Sequence, residues 1–578
     1  MKLAFFYPPV GNLCQPYLST PTLVAHLKHN GVMDVKQYDF NIEVLDELLN
    51  ADRLQRAYRW CYHFLNSFDQ RRSVSDLDLV QAQLALASLP SAQKTVAEIE
   101  GAKRVFRTFE FHDQRKYADA LQTILSSYQL LSSRYFPTVI ENQSFRMRYR
   151  LDSSKEVLAA VEDEVENCFV EILSKKLDEA FEVDGVPDIA GVSIGYYEQL
   201  VPGLTLARLI KERSPRTHVT VGGTMMSALV GKAFPPEFFQ FFDSLLFFEA
   251  EEPLLKLVGA IEAGRDLDNI PNLVLLRNGE IVYTRLASSQ IEADSIPTPD
   301  FSGLPFSKYL SPEPILPVAA SRGCYWRQCS FCTRQHLLDT FRQRSPDRIV
   351  SDLKRLMQVH GARMFFFVDE CVSPPVLEAV AQRILAERLE IRWSCYVRFE
   401  KKLGDPDFCR SLARSGLRML YFGLESACNR VVGLMKKGTN KDRMARVLNA
   451  TASAGILNMI LYFVGFPTET REEALETMEF LLNHRDGVTF ALPGQFMLEE
   501  HSPIFESLAD FGITEISPLG PSSDLGIIYR YKTNCGMSAE EAAQVRDYIE
   551  AKTRELHALK FLNRSHLLLW EPSKVPKM

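Results

Sequence analysis

Three thiols fall within nine residues, Cys324, Cys329 and Cys332, in the run SRGCYWRQCSFC that starts at Ser321. Three close cysteines can hold three irons of a cubane cluster and leave the fourth iron open to a substrate or cofactor, chemistry that a closed four-ligand site forbids. His336, four positions after Cys332, keeps a second reading open, a Cys3His structural zinc site. The chain has eleven cysteines, an odd number with a single tight cluster, which fits a reducing compartment and a metal site better than a disulfide framework. The default reading of the other eight is a buried free thiol. Among them Cys395, on a strand of the same domain, is the candidate for a radical or substrate contact.

Groups of this kind need a scaffold that brings distant segments to one rim. After residue 315, six strands are expected to alternate with helices: Leu316–Ala320, Met364–Val368, Ile391–Val397, Arg418–Gly423, Met459–Val464 and Val488–Met497. Six βα units predict a partial barrel, whose functional groups project from the C-terminal strand ends. Those ends carry the cysteine run, Asp369 and Glu370, Arg398, Glu425 and Ser426, Gly465-Phe466-Pro467, and Glu499 to Ser502.

The first half reads differently. Leu3 to Tyr7, a helix around Thr22 to Asn30 and Asp34 to Asp39 open a βαβ pattern, which resumes from Asp188 with IAGVSIG, a helix Val201 to Arg213 and HVTVGG. Between them, residues 46–180 carry only helical periodicity and are expected to be a helical insertion. The expected division is a Rossmann-like (flavodoxin-like) α/β sheet domain over 1–262 and a hairpin and Pro-rich connector over 263–315. A partial (β/α)6 TIM-type barrel follows over 316–510, then a C-terminal helical extension over 511–578 with a long helix from Ser538 to Leu562. The hairpin NLVLLRNGEIVYT turns on Asn278-Gly279.

Composition narrows the function classes. A chain of 578 residues with 46% hydrophobic and 24% charged residues is ordinary for a globular protein, and a net charge of −7 without a basic run disfavours nucleic-acid binding. No apolar run reaches the roughly 18 residues of a membrane span, and Pro8-Pro9 interrupts any signal-peptide core, so a cytoplasmic location without membrane contact is expected.

At this point the sequence resembles the radical S-adenosylmethionine (radical SAM) superfamily, in the branch with an N-terminal cobalamin-binding domain. The resemblance covers most of residues 1–45 and 185–535. It rests on SRGCYWRQCSFC, YFGLESACNRVVGLMKKG and GFPTET, and in the sheet domain on PDIAGVSIGYYEQLVPGLTLARLIKE, VTVGG and EAEEPLLKL. The superfamily usually has three and then two residues between its thiols; here there are four and then two. The resemblance implies that Cys324, Cys329 and Cys332 ligate a 4Fe-4S cluster. It implies that Phe331 lies against the adenine of S-adenosylmethionine, that Glu425, Ser426, Arg398 and more weakly Glu370 meet its polar groups, and that Gly465 lets backbone approach the adenosyl moiety. In the sheet domain Asn41 stands where a cobalt-binding histidine is common, and because Asn is a poor cobalt ligand a weakly ligated cobalt is expected. Gly222 and Gly223 resemble the turn admitting the nucleotide tail of cobalamin, and Ser193 a polar contact on the neighbouring strand.

The implied activity is C-methylation of an unactivated carbon in a natural-product or peptide substrate through a 5′-deoxyadenosyl radical, with methylcobalamin as methyl donor and a flavodoxin or ferredoxin as electron donor. Two alternatives stay open: a cobalamin-dependent radical rearrangement or oxidative cyclisation without methyl transfer, and a non-catalytic cobalamin- or metal-binding sensor with a zinc site. The 46–180 insertion is expected to cover the sheet, or else to shape substrate entry.

Overall fold

The computed structural model describes residues 1–68, 73–232, 234–289, 291–333, 340–557 and 561–571. His336, on which the zinc reading depends, lies outside the described residues. The chain divides into two compact units. One comprises Met1–Ser289, Pro297–Glu313 and Ser522–Leu525; the other comprises Gln290–Ile296, Pro314–Pro521 and Gly526–Met578.

The first unit is built on a sheet whose first strand in the chain, β1 (Leu3–Tyr7), is buried at every position. An all-apolar strand of this kind needs cover on both faces, which helices supply in parallel sheets. β1 pairs in parallel with β2 (Val35–Asp39), and the helix Ser19–His29 makes the crossover. The expected insertion is mainly helical, with long helices at Ala51–Phe68, Asp76–Arg107 and Gln114–Tyr135. Ser75 and Asp78 form a capping box that starts the second of these.

Helical periodicity missed one feature of the insertion, the hairpin of β3 (Val139–Glu141) and β4 (Ser144–Arg146). Three-residue strands are too short to register as an alternating pattern. A side chain secures the hairpin instead: Ser132 Oγ donates to the Ile140 carbonyl at 3.0 Å and accepts the Ile140 N–H at 2.8 Å.

The sheet continues with β5 (Ile189–Ser193), β6 (His218–Gly222), β7 (Ser244–Leu246), β8 (Leu273–Arg277) and β9 (Glu280–Tyr283), in the order β2-β1-β5-β6-β7-β8-β9. The first five strands are parallel. The β8–β9 hairpin, expected within a connector, instead extends the sheet edge, because β8 pairs antiparallel with β7. Asn278 and Gly279 both have positive φ, as a two-residue hairpin turn of this hand requires.

In the second unit β10 (Ile315–Val318) leads to β11 (Ser321–Arg322), which pairs antiparallel with β12 (Arg342–Gln343) and so closes the base of the cysteine loop. Then come β13 (Met364–Phe367), β14 (Arg392–Val397), β15 (Leu417–Glu425), β16 (Leu457–Val464) and β17 (Phe490–Gln495). These six main strands run parallel in the order β10-β13-β14-β15-β16-β17, the partial barrel expected from the alternation. Proline opens three of the intervening helices, at Pro346, Pro374 and Pro406, where its missing N–H costs nothing.

The C-terminal region departs from the helical expectation. β18 (Leu498–Glu499), β19 (Ile513–Pro518) and β20 (Ile528–Thr533) form an antiparallel sheet in the order β18-β20-β19. Its Ile513, Ile516, Tyr529 and Tyr531 pack on a core with Phe466 and Phe496, so tertiary burial pairs strands that lie far apart in sequence. The expected long helix is shorter, Ala539–Lys552, and a 3-10 turn at Arg554–His557 follows it. Among the described residues no helix is long and apolar enough to cross a membrane.

Candidate functional site

The cysteine loop leaves β11 and lies on the turn that follows the short helix Asn429–Leu434. Ser330 fixes it there, its N–H donating to the Met435 carbonyl at 3.1 Å and its hydroxyl to the Leu434 carbonyl at 3.0 Å. Trp326 Nε1 donates to the Lys436 carbonyl at 2.9 Å. The indole covers Gly438, where an added Cβ would stand 2.3 Å from the ring. The Arg398 guanidinium lies over the same indole, 3.8 Å from the Trp326 ring centroid, while donating to the Lys437 carbonyl (2.6 Å) and to Glu400 (2.9 Å). Tyr325 also donates to Glu400, at 2.9 Å.

Beside this stack lies a buried ion pair, Lys437 Nζ donating to Glu425 Oε1 at 2.6 Å. Glu425 ends β15 with φ +60, just after a register shift against β16. Such a bulge re-aims a side chain that regular pleating would direct elsewhere. Burial works against the Lys437 ammonium, but Glu425 and Cys329 outweigh it and hold its pKa above the ordinary lysine value. Burial likewise pushes the Cys329 thiol up, against the pull of Lys437 and Arg398 toward the thiolate. Phe331 stands 5.6 Å from Lys437 Nζ and packs edge-on against Phe463. The structure thus gathers Cys329, Phe331, Arg398 and Glu425 around Lys437, with Cys324 an electrostatic neighbour of Cys329. Cys332 closes the loop, its N–H donating to the Cys329 carbonyl at 3.3 Å.

Two expected barrel residues are placed otherwise. Ser426 is fully buried, and its hydroxyl accepts the Cys428 N–H at 3.2 Å beside Thr477, a turn-building role. Glu370 is exposed, one residue beyond the buried Asp369. Gly465, expected to let backbone approach a ligand, also meets a packing requirement: at φ +88 an added Cβ would stand 2.6 Å from Ala542, its N–H donates to Glu469 at 2.7 Å and its carbonyl accepts from Tyr531 at 2.7 Å. Burial raises the Glu469 carboxyl to about 7. Asp369 is also structural. It accepts the Ser321 hydroxyl (2.5 Å) and the Ala320 N–H (2.9 Å) at the root of the cysteine loop, and burial raises it to about 6. Cys395 is buried with its pKa raised well above the ordinary value, first by burial and then by Asp369 and Cys371.

In the sheet unit the expected residues lie at or just after the C-terminal ends of β2, β5 and β6. Asn41 is buried and bonded at both amide atoms, its Oδ1 accepting the Gly11 N–H at 2.6 Å and its Nδ2 donating to the Asn12 carbonyl at 2.9 Å, so it pins the loop after β1. Ser193 donates to Ser19 at 2.8 Å. Gly222 and Gly223 permit close backbone approach; a Cβ on Gly223, at φ +110, would stand 2.4 Å from the Ile194 carbonyl oxygen. Asp39 accepts from Tyr309 at 2.6 Å, and burial raises it to about 7.

The sequence profile of the Radical SAM superfamily matches residues 318–481, which span the cysteine loop and the four barrel strands β13 to β16. The barrel is a radical SAM domain. The whole chain has the fold of cobalamin-dependent radical SAM enzymes. The structure of the cobalamin-dependent S-adenosylmethionine radical enzyme OxsB with aqua-cobalamin and S-adenosylmethionine bound superposes with a TM-score of 0.59, at 12% identity over 95% of this chain and 66% of that one. The radical S-adenosylmethionine methyltransferase TsrM from Kitasatospora setae gives 0.51, at 17% identity over 70% of this chain and 85% of that one.

Curated proteins similar to this chain include an uncharacterized methyltransferase of Pyrococcus horikoshii, 27% identical over 51% of this chain and 64% of its own length. An anaerobic magnesium-protoporphyrin IX monomethyl ester cyclase of Cereibacter sphaeroides is 27% identical over 40% and 39%. A hopanoid C-3 methylase of Methylococcus capsulatus is 23% identical over 47% and 52%. The chain thus covers less than two thirds of the length of each of these three relatives.

Sequence reasoning missed Lys437 and Trp326 in the radical SAM barrel. Both stand inside quoted motifs, Lys437 in GLMKKG and Trp326 in SRGCYWRQCSFC. The lysine doublet beside a glycine was the available signal for Lys437; nothing local distinguishes the buried member of that doublet from the exposed one.

Proposed function

We propose that the protein is a cobalamin-dependent radical SAM enzyme that methylates an unactivated carbon of a natural-product or peptide substrate. The observation that carries this reading is the closure of the cysteine loop on the 434–438 turn, which sets Cys329 beside two cations, Lys437 and Arg398. Cluster ligation needs thiolates; Lys437 and Arg398 oppose the burial that raises the Cys329 thiol, and although no three candidate ligands among the described residues converge on a single metal-ion site, three thiols on one loop are a donor set suited to the larger span of an iron–sulfur cluster. In this reading Cys324, Cys329 and Cys332 hold three irons of a 4Fe-4S cluster. Phe331, Arg398 and Glu425 bind S-adenosylmethionine, with Lys437 fixing the Glu425 carboxylate. Cobalamin rests on the edge marked by Asn41, Ser193, Gly222 and Gly223.

When bound, these groups supply reductive cleavage of S-adenosylmethionine, hydrogen abstraction and methyl delivery. The chain supplies position. Glu425 presents an acceptor to an ammonium or hydroxyl group, the Arg398 guanidinium suits a carboxylate, and the Phe331 ring suits a base. Asn41, already satisfied twice by backbone, leaves no imidazole for cobalt, which accords with a weakly ligated metal. An acidic electron donor such as flavodoxin or ferredoxin, and a cytoplasmic setting, complete the proposal.

A second reading, oxidative cyclisation without methyl transfer, has support from the magnesium-protoporphyrin cyclases among the relatives. Anaerobic iron, sulfide, zinc and cobalt analysis of cobalamin-supplied protein tests the cofactor set. Four irons and one cobalt per chain are expected, and one zinc with neither would overturn the proposal. Product mass separates the two reactions, since methylation adds one CH2 and ring closure removes hydrogen.

A further inference from the structure

The two segments that build the cysteine site are basic in a chain whose net charge is −7. Residues 321–333 and 429–443 together carry seven Lys or Arg and one acidic residue, Asp442. Part of that charge is neutralised within the fold. Lys437 pairs with Glu425, Arg430 with Glu473, and Lys441 lies 3.5 Å from Glu476. Lys436 and Arg443 have no carboxylate partner among the described residues. Lys436 is exposed at φ +52, and the Arg443 guanidinium donates to the Gly438 carbonyl at 2.9 Å. Arg327 is exposed on the cysteine loop itself. The Trp326–Lys436 hydrogen bond makes the thiol loop and this cationic rim one surface, and Gln328 and Gly433 on it are exposed.

We propose that the rim of Lys436 and Arg443, beside the cysteine loop, is the docking surface for a small acidic one-electron carrier protein. The inference rests on the cluster reading above and names the partner of that site. Charge of one sign concentrated on an exposed rim steers an oppositely charged partner, and rim charges act chiefly on association rate and its salt dependence. Interfaces of transient redox pairs are small, so two cations are a large share of one. With flavodoxin as the donor, its anionic flavin hydroquinone gives up one electron to become the neutral semiquinone. The oxidised cluster takes that electron, and no proton crosses the interface.

The test compares the wild-type chain with Lys436→Glu/Arg443→Glu, and with the milder Lys436→Gln/Arg443→Gln pair in case charge reversal impairs folding. Association with a bacterial flavodoxin is measured by calorimetry at low and high salt, and cluster bleaching by flavodoxin hydroquinone is followed beside bleaching by dithionite. The expected result is association and flavodoxin-driven bleaching weakened about tenfold or more at low ionic strength in the reversed pair, converging with wild type at high salt, with the dithionite rate unchanged. Equal flavodoxin affinity and salt dependence in wild type and variants would overturn the docking surface. Absence of any dithionite-bleached chromophore would instead remove the cluster reading, while the calorimetry would still decide whether the rim binds an acidic carrier.

Discussion

The Lys437–Glu425 pair offers a test of the site that needs no cofactor. At 2.6 Å, with side-chain exposures of 11% and 14%, it is a buried ion pair. Its gross attraction at an effective dielectric of 20 is about 6 kcal/mol, most of it cancelled by the desolvation of both ions. Removing one partner strands the other, which costs about 3–5 kcal/mol. For a domain of this size each kcal/mol moves the midpoint by about 2–4 °C, so Lys437→Met is expected to lower barrel unfolding by about 6–20 °C. Tryptophan fluorescence reports the right unit, because Trp326, Trp393 and Trp570 lie in it and only Trp60 lies in the other. Glu425→Gln is expected to cost a similar amount. The double variant, with no charge left to strand, should recover about 2 kcal/mol relative to the sum of the two. The sign with pH follows from the raised lysine pKa: the pair's stability is fully present below the ordinary lysine value of about 10.4 and is lost only as pH rises through the higher folded value, so the cost should not vary between pH 6 and 9. Midpoint losses below 2 °C for both single variants, or strict additivity, would refute the reasoning.

Three other outcomes follow from the same geometry. Gly438→Ala adds a Cβ at φ +71 that meets the Trp326 ring at 2.3 Å, so the loop must lift; iron retained after anaerobic reconstitution should fall well below wild type while circular dichroism stays unchanged. Cys329→Ala should lose iron and keep cobalt, as metal analysis would show. Burial raises the Asp369 carboxyl to about 6, so its contribution is fully present below the ordinary aspartate pKa and lost as pH rises through 6, by at most about 3 kcal/mol. In Asp369→Asn the amide can accept from Ala320 N–H and donate to Ser321 Oγ, and melting of this variant should be less pH-dependent than that of wild type between pH 4 and 7.5.

The parts of this protein legible in its sequence are those whose signal is local. Thiol spacing within one loop, buried strands of four to nine residues, and prolines opening helices are all set by neighbours in the chain, which is why the partial barrel, the parallel sheet and the rim position of the cysteines could be read directly. The strand pairs of the C-terminal sheet and the β3–β4 hairpin were not legible, because a two- or three-residue strand has too little pattern to exceed that of a helix and is stabilised by burial against distant residues.

The same division runs through the site. Sequence placed Glu425 at a strand end, but only the bulge after Gly423 and the turn twelve residues later bring it to Lys437. Ser426, its neighbour in sequence, faces the interior beside Thr477. Gly465 reads as a ligand-facing glycine, and Ala542, more than seventy residues away, also fills the space its Cβ would need. By itself the sequence determined which chemical groups reach the rim. Tertiary structure decided which of them meet, because that depends on backbone bulges, burial and contacts between segments far apart in the chain.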